Sequence, residues 1–312
     1  MNSFLGIDTS NYTTSVAVYD SDSESFFFGK KLLPVKSGEK GIRQSDAVFH
    51  HTVQLPELLE ELCREKFSAL KAVGVSVSPT DEKGSYMPCF LAGAANARAI
   101  SAVTKVPLFC FSHQLGHIAA VIATEKRFDL LEKEFIAFHI SGGTTQALLV
   151  KPDKDKILSV KKIAESTDLK AGQAIDRAGV MLGLDFPCGK ELDALSRKSE
   201  RVFNTKPSVK GSDISLSGIE NKFKKMFDSS ERPEDIAKFT IQSICDAILL
   251  MAQSLVLQYG NLPLVFSGGV SSNSLLREVI CRKYNALFAG PEFSTDNAVG
   301  IAYLSYLKYN GD

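Results

Sequence analysis

The chain opens the same way twice. FLGIDTSNYTTSVAV (4–18) and FIAFHISGGTTQALLV (135–150) each run as an apolar strand, a tight turn rich in Ser, Thr or Gly, and a second apolar strand. Each is followed by a further strand-like run, SESFFFGKKLL (23–33) and KILSVKKIAEST (156–167), so each half begins as a β-meander. A strand-turn-strand unit recurring in two halves of one chain is the mark of an internal repeat. With 312 residues, 44% of them hydrophobic, the chain has the length for two domains and the apolar content for a core in each. A chance likeness of two hairpins is the competing explanation.

The rest of the chain alternates further. After the first meander the pattern reads as a helix over about 45–66 that tolerates Pro56 as a kink, the strand AVGVSVS, a helix over about 88–104 and the strand PLFCFS. After the second, helices are expected over about 171–184, 188–199, 217–228 and 234–259. Strand, glycine turn and helix then follow in LPLVFSGGVSSNSLLREVI. STDNAVGIAYLSYLKY closes the chain as a helix for which Ser294, Thr295 and Asp296 are candidate N-caps. Strands alternating with helices mean an α/β protein built on central sheets.

Several classes are disfavoured. The opening MNSFLGIDTS has no charged stretch followed by an apolar one, and the longest apolar runs, Phe135–Ile140 and Ala247–Leu257, fall short of the roughly 20 residues a bilayer span needs. The chain therefore reads as cytoplasmic, with no membrane partner. Its six cysteines contain no CxxC pair, so neither a zinc knuckle nor a redox dithiol is indicated, and most are expected to be buried thiols. Thirty-six basic residues balance 36 acidic ones, unlike a nucleic-acid-coating protein. Lys206, Lys210, Lys222, Lys224 and Lys225 form either a local contact patch or a solvated face.

Two features carry chemistry. ISGGTT and FSGGVSSN follow apolar strands and offer backbone N–H groups free of side-chain obstruction, the makings of an anion site at a helix start. His113 and His117 stand four residues apart, which on a helix turns both imidazoles toward one face. The intervening Gln114, Leu115 and Gly116 supply no HExxH glutamate, so a zincin-type protease would lack its base. A metal would need a third ligand, for which Asp8, Asp176 and Asp296 are candidates; two surface or capping histidines are the alternative. Asp176 in AGQAIDRAG suits either a ribose hydroxyl or an ion pair with Arg177 or a lysine.

Taken together, HQLGH, HISGGTTQ, AESTDLKAGQAIDRAGVMLGLDFPCG, SDISLSG, FSGGVSSNSLLR and FSTDNAVGIAY resemble, in order and approximate spacing, the motifs of the TsaD-like proteins. These are the catalytic subunits of tRNA threonylcarbamoyladenosine synthesis, formerly grouped as O-sialoglycoprotein endopeptidases. The resemblance covers nearly the whole chain. It implies the actin and sugar-kinase superfamily fold: two duplicated lobes with a nucleotide and metal cleft between them, the first over 1–130 completed by 296–312 and the second over 131–295. It implies one divalent metal ion, iron or zinc, on His113, His117 and Asp296. Nucleotide contacts fall on His139, Ile140, Ser141, Gly142, Gly143, Asp176, Gly189 and Asn273, with Asp193 a further position, for threonylcarbamoyl-AMP or an adenine nucleotide. The implied reaction moves the threonylcarbamoyl group to the exocyclic amine of the adenosine beside the anticodon in tRNAs reading ANN codons. A TsaB-like paralogue and a TsaE-like ATPase are the implied partners.

The chain departs from the family in places. GIDTSNYTT stands where relatives read close to GIETSCDET, so Asp8 replaces Glu, and Tyr12 and Thr13 replace the acidic pair of DET. Thr144 stands for the histidine of SGGHTQ, Gln173 for the glutamate of AGEAFDK, and SPTDEKGSYMPC for the GPGL loop. A paralogue acting on another acceptor, an ATP-binding phosphotransferase and a non-catalytic subunit of the same fold are the competing expectations.

Overall fold

The computed structural model describes residues 2–10, 12–34, 42–66, 69–290 and 292–311; Asn11, in the first polar turn, lies outside them. The chain divides into two compact units. One comprises Met1–Glu132, Pro152–Ser159 and Thr295–Asp312, the other Lys133–Lys151 and Val160–Ser294.

The first unit begins with β1 (Asn2–Ser10), β2 (Thr13–Asp20) and β3 (Ser25–Leu32), then α1 (Gln44–Lys66), β4 (Ala69–Ser78), α2 (Phe90–Thr104), β5 (Leu108–Ser112) and α3 (His113–Thr124). The second begins with β6 (Phe135–Ile140), β7 (Thr145–Asp153) and β8 (Ile157–Glu165), then α4 (Ala171–Met181) and α5 (Gly189–Ser196). It continues with β9 (Ser208–Lys210), β10 (Asp213–Ser215), α6 (Ser217–Asp228), α7 (Pro233–Tyr259), β11 (Leu264–Ser267), α8 (Ser274–Cys281) and β12 (Ala286–Phe288). The chain then returns to the first unit with α9 (Val299–Gly311).

The two main sheets share one topology. The first runs β3-β2-β1-β4-β5, with β2 antiparallel to β1 and β3, and β4 parallel to β1 and β5. The second runs β8-β7-β6-β11-β12, with β7 antiparallel to β6, and β11 parallel to β6 and β12. A meander followed by two parallel strands on the far side of its first strand is thus built twice, each copy opening with one of the two duplicated hairpins.

Position in the sheet explains the strand sequences. β1 lies between β2 and β4 and is buried from Ser3 to Ser10, so its apolar run is nearly unbroken, whereas β3 at the edge is half-buried. The first core joins Leu5, Ile7, Val16, Val18, Val73 and Val75 of the sheet to Leu55 and Leu58 of α1. In the second unit, Phe138, Phe266 and Phe288 stand in register on three neighbouring strands and stack with ring centroids 4.5 Å apart at each step. α7 has the length and composition of a membrane-crossing helix, yet much of its apolar surface, including Ile236, Phe239, Ile244, Ile248 and Leu255, is buried in this unit.

Four expectations are corrected. α4 ends at Met181 rather than near 184, because Gly183 takes a φ of +82° and the Leu184 N–H turns back to the Gly179 carbonyl. α5 spans 189–196 rather than 188–199. The short strands β9, β10 and β12 were not anticipated, being only three residues each. Cys110 and Cys281 are exposed and Cys63 half-buried, leaving three cysteines as buried thiols.

Candidate metal centre

His113 and His117 owe their position to the junction of β5 and α3. Ser112 ends the strand and caps the helix, its Oγ accepting from the Leu115 N–H at 3.2 Å. His113 is therefore the first helical residue and His117 lies one turn on, with the two Nε2 atoms 3.0 Å apart.

Asp296 reaches them through helix packing. α3 and α9 approach so closely that a Cβ added to Gly300 would lie 1.8 Å from the Gly116 carbonyl oxygen and 2.6 Å from the Ala120 nitrogen. Only glycine fits there. The segment leading into α9 is turned by Asn297, whose side chain donates to the Thr295 carbonyl and accepts from the Val299 N–H. Ser294, Thr295 and Asp296 do not cap α9: the helix starts at Val299, too far along for their side chains, and Asn297 serves its first turn. Asp296 is left free to face the histidines, its Oδ1 3.5 Å from His113 Nε2 and 3.3 Å from His117 Nε2. Its Oδ2 accepts from the Thr13 hydroxyl at 3.3 Å.

Of the three candidate third ligands, the fold brings Asp296 to the pair. Asp8 lies at the other nitrogen of His113, with Oδ1 3.0 Å from Nδ1, and Asp176 belongs to the other unit. His113, His117 and Asp296 are the one group of three or more His, Cys, Asp or Glu among the described residues that could hold a metal ion. His117 and Asp8 are almost wholly buried, while the His113 and Asp296 side chains keep 17% and 28% of their exposure, leaving an open side.

The electrostatics fit a cation. Burial opposes the charged form of His113, but Asp8 and Asp296 outweigh it and lift its pKa to about 10. Burial, reinforced by the His113 charge, pushes His117 down. Burial would raise Asp296, yet the two histidines hold its carboxyl well below the usual range. Asp8 and Asp296 thus favour positive charge beside them, and a divalent ion that displaced the His113 proton would meet two imidazole nitrogens and a carboxylate oxygen.

The residues expected to contact nucleotide all belong to the second unit. His139 and Ile140 end β6, and His139 Nδ1 lies 3.2 Å from Ser267 Oγ on β11. In the following turn the Ser141 N–H donates to the Thr144 carbonyl, and the Thr144 N–H to Ser141 Oγ. Gly142 and Gly143 have open space where a side chain would be. α4 abuts this turn, its Gly172 N–H donating to the Ser141 carbonyl. The second glycine turn is pressed onto the first: Gly268 has φ +90°, and a Cβ there would lie 2.4 Å from the Ile140 carbonyl oxygen.

The polar side chains of this set have protein partners. Asp176 Oδ1 accepts from the Cys188 N–H at 2.9 Å, and burial raises its pKa. Gly189 opens α5, and Asp193 on the same helix accepts from the Ser274 hydroxyl at 2.9 Å. Asn273 caps α8 by accepting from the Leu276 N–H. Gln173 accepts from the Lys170 N–H at the start of α4, a task open to either Gln or Glu.

Sequence reasoning missed Asp168. Its carboxylate accepts from the Leu216 and Ser217 N–H groups and the Ser215 hydroxyl, capping α6 across 47 to 49 residues of sequence. Burial opposes the charge, but these bonds outweigh it and hold the pKa far below the carboxylate norm. The five lysines of the basic run are all exposed, and Lys224 pairs with Glu220.

Residues 33–303 match the family model described as TsaD: tRNA N6-adenosine threonylcarbamoyltransferase. Proteins of that name from Archaeoglobus fulgidus and Methanopyrus kandleri are 27% and 28% identical, each over 98% of this chain and over 91% and 87% of their own lengths. Among solved structures, full-length HypF in a phosphate- and nucleotide-bound form superposes with a TM-score of 0.61 at 14% identity, over 99% of this chain and 55% of HypF. A ROK family glucokinase from Streptomyces griseus, in complex with glucose and AMPPNP, gives 0.55 at 10% identity, over 98% of this chain and 99% of its own. Both structures share the fold.

Proposed function

The chain belongs to the TsaD family of tRNA N6-adenosine threonylcarbamoyltransferases, and on that premise we propose that it transfers the threonylcarbamoyl group of threonylcarbamoyl-AMP to the exocyclic amine of the adenosine beside the anticodon in tRNAs reading ANN codons. The amine nitrogen forms a bond to the carbamoyl carbon, the bond from that carbon to the adenylate oxygen breaks, and AMP leaves as the amine gives up a proton. The observation that carries this reading is the convergence of His113 Nε2, His117 Nε2 and Asp296 Oδ1, at separations of 3.0 to 3.5 Å, in a member of this family.

These three side chains would hold one divalent ion, iron or zinc. A bound ion would supply Lewis-acid polarisation of an oxygen on the transferred group. In the second unit, the open backbone at Gly142 and Gly143 would receive the adenylate phosphate, and Asp176, Gly189, Asp193 and Asn273 would position the nucleoside. Preorganised N–H dipoles of this kind stabilise charge that develops on a leaving phosphate. A TsaB-like paralogue and a TsaE-like ATPase belong to the same reading as partners, testable by co-purification.

The test is direct: purified protein, threonylcarbamoyl-AMP, Zn²⁺ or Fe²⁺ and unmodified tRNA are incubated with those partners, and digested tRNA is analysed for the modified nucleoside. Product is expected, and His113→Ala should abolish it. Absence of product beside an active relative in parallel would overturn the reading.

A further inference from the structure

Asp8 is fully buried near the C-terminal end of β1, the middle strand of its sheet, yet it carries a carboxylate. Oδ1 accepts from the Ser76 hydroxyl on the neighbouring β4 and lies 3.0 Å from His113 Nδ1. Oδ2 is buried with no hydrogen-bond partner among the described residues. An unsatisfied buried anionic oxygen is costly unless a nearby charge compensates it. Asp8 approaches one nitrogen of the imidazole while the other, Nε2, faces His117 and Asp296, so it meets the ring on a different edge from the metal-binding face.

We propose that Asp8 is a positioning residue that fixes His113 as its Nδ1–H tautomer and aims the Nε2 lone pair at the metal. Ser76 anchors the carboxylate, the carboxylate holds the ring, and the rigid β1–β4 pair holds both.

This inference rests on the metal-centre reading. Its test is titration of the full chain with Co²⁺, following the visible absorption of the bound ion, and competition by Zn²⁺. Asp8→Ala, which removes the acceptor, should weaken binding 10- to 100-fold and alter the Co²⁺ absorption band. Asp8→Asn keeps an acceptor for Nδ1–H and should lose less. Wild-type protein that binds neither ion refutes the metal-centre reading itself. Wild-type binding with Asp8→Ala within about threefold, or Asp8→Asn as impaired as Asp8→Ala, refutes the positioning role alone. Should the variants fail to fold, ¹⁵N-histidine NMR of the Zn²⁺-loaded wild type decides: a proton on Nδ1 of His113 is expected, and one on Nε2 overturns the proposal.

Discussion

Gly300→Ala replaces one hydrogen with a methyl group and should disable the candidate metal centre from a distance. The added Cβ would lie 1.8 Å from the Gly116 carbonyl oxygen and 2.6 Å from the Ala120 nitrogen, both backbone atoms of α3 that no rotamer change can clear. The first contact is about 1.5 Å inside ordinary van der Waals separation, so α9 and α3 must move apart by roughly that much. Overpacking of this kind costs about 1–3 kcal/mol. Asp296 lies just before α9 and now sits 3.3 and 3.5 Å from the two histidine nitrogens. Carried outward with the helix, it would end roughly 5 Å away, whereas two donors each about 2.0–2.2 Å from one ion are at most about 4.4 Å apart. Co²⁺ affinity should therefore fall on the order of 100-fold, alongside a lower thermal midpoint. Gly218→Ala, where a Cβ meets nothing within 4 Å, is the control and should leave both unchanged. Wild-type affinity and midpoint in Gly300→Ala would refute the claim that this close packing delivers Asp296 to the site.

Three further predictions concern stability, each read by urea unfolding. His51 is fully buried, with Nδ1 2.8 Å from Thr14 Oγ1, and burial lowers its pKa to about 4 despite the Asp8 charge. The unfolded chain, titrating near the ordinary histidine value of 6.5, binds more protons between those values. Stability is thus complete above about pH 6.5 and falls by roughly 3 kcal/mol as pH drops to 4; His51→Leu should flatten that slope, and an unchanged slope contradicts the assignment. Asp168→Ala strips α6 of its cap and should cost about 1–2 kcal/mol, with a null effect ruling out the capping role. Phe266→Ala opens the middle of the stacked phenylalanines and should cost about 3–5 kcal/mol, against under 1 kcal/mol if the stack contributes little.

How much was legible in the sequence depended on range. The duplicated hairpins were readable because a meander is local, and its strand order followed from connection rules once the repeat was seen. The His113–His117 pair was readable because one helical turn fixes it. What brings Asp296 to that pair was not, since the contact of Gly116 with Gly300 joins residues 184 apart and nothing in either local pattern announces it. The same distance hid Asp168 as the cap of α6. Asp296 itself was misread as a candidate cap because its neighbours suit that role; Asn297 takes it, one residue later, and frees the carboxylate. Residue type alone left Asp8, Asp176 and Asp296 equivalent; the motif resemblance singled out Asp296, and the fold places Asp8 beside His113 Nδ1, Asp176 at the Cys188 N–H and Asp296 facing both histidines.

The most direct measurement is an anomalous diffraction map from crystals of the full chain grown with Zn²⁺, recorded on both sides of the zinc absorption edge. A single peak within about 2.0–2.2 Å of His113 Nε2, His117 Nε2 and an Asp296 oxygen is the predicted result. A fully occupied peak elsewhere, or none at this cluster under saturating zinc, would contradict it.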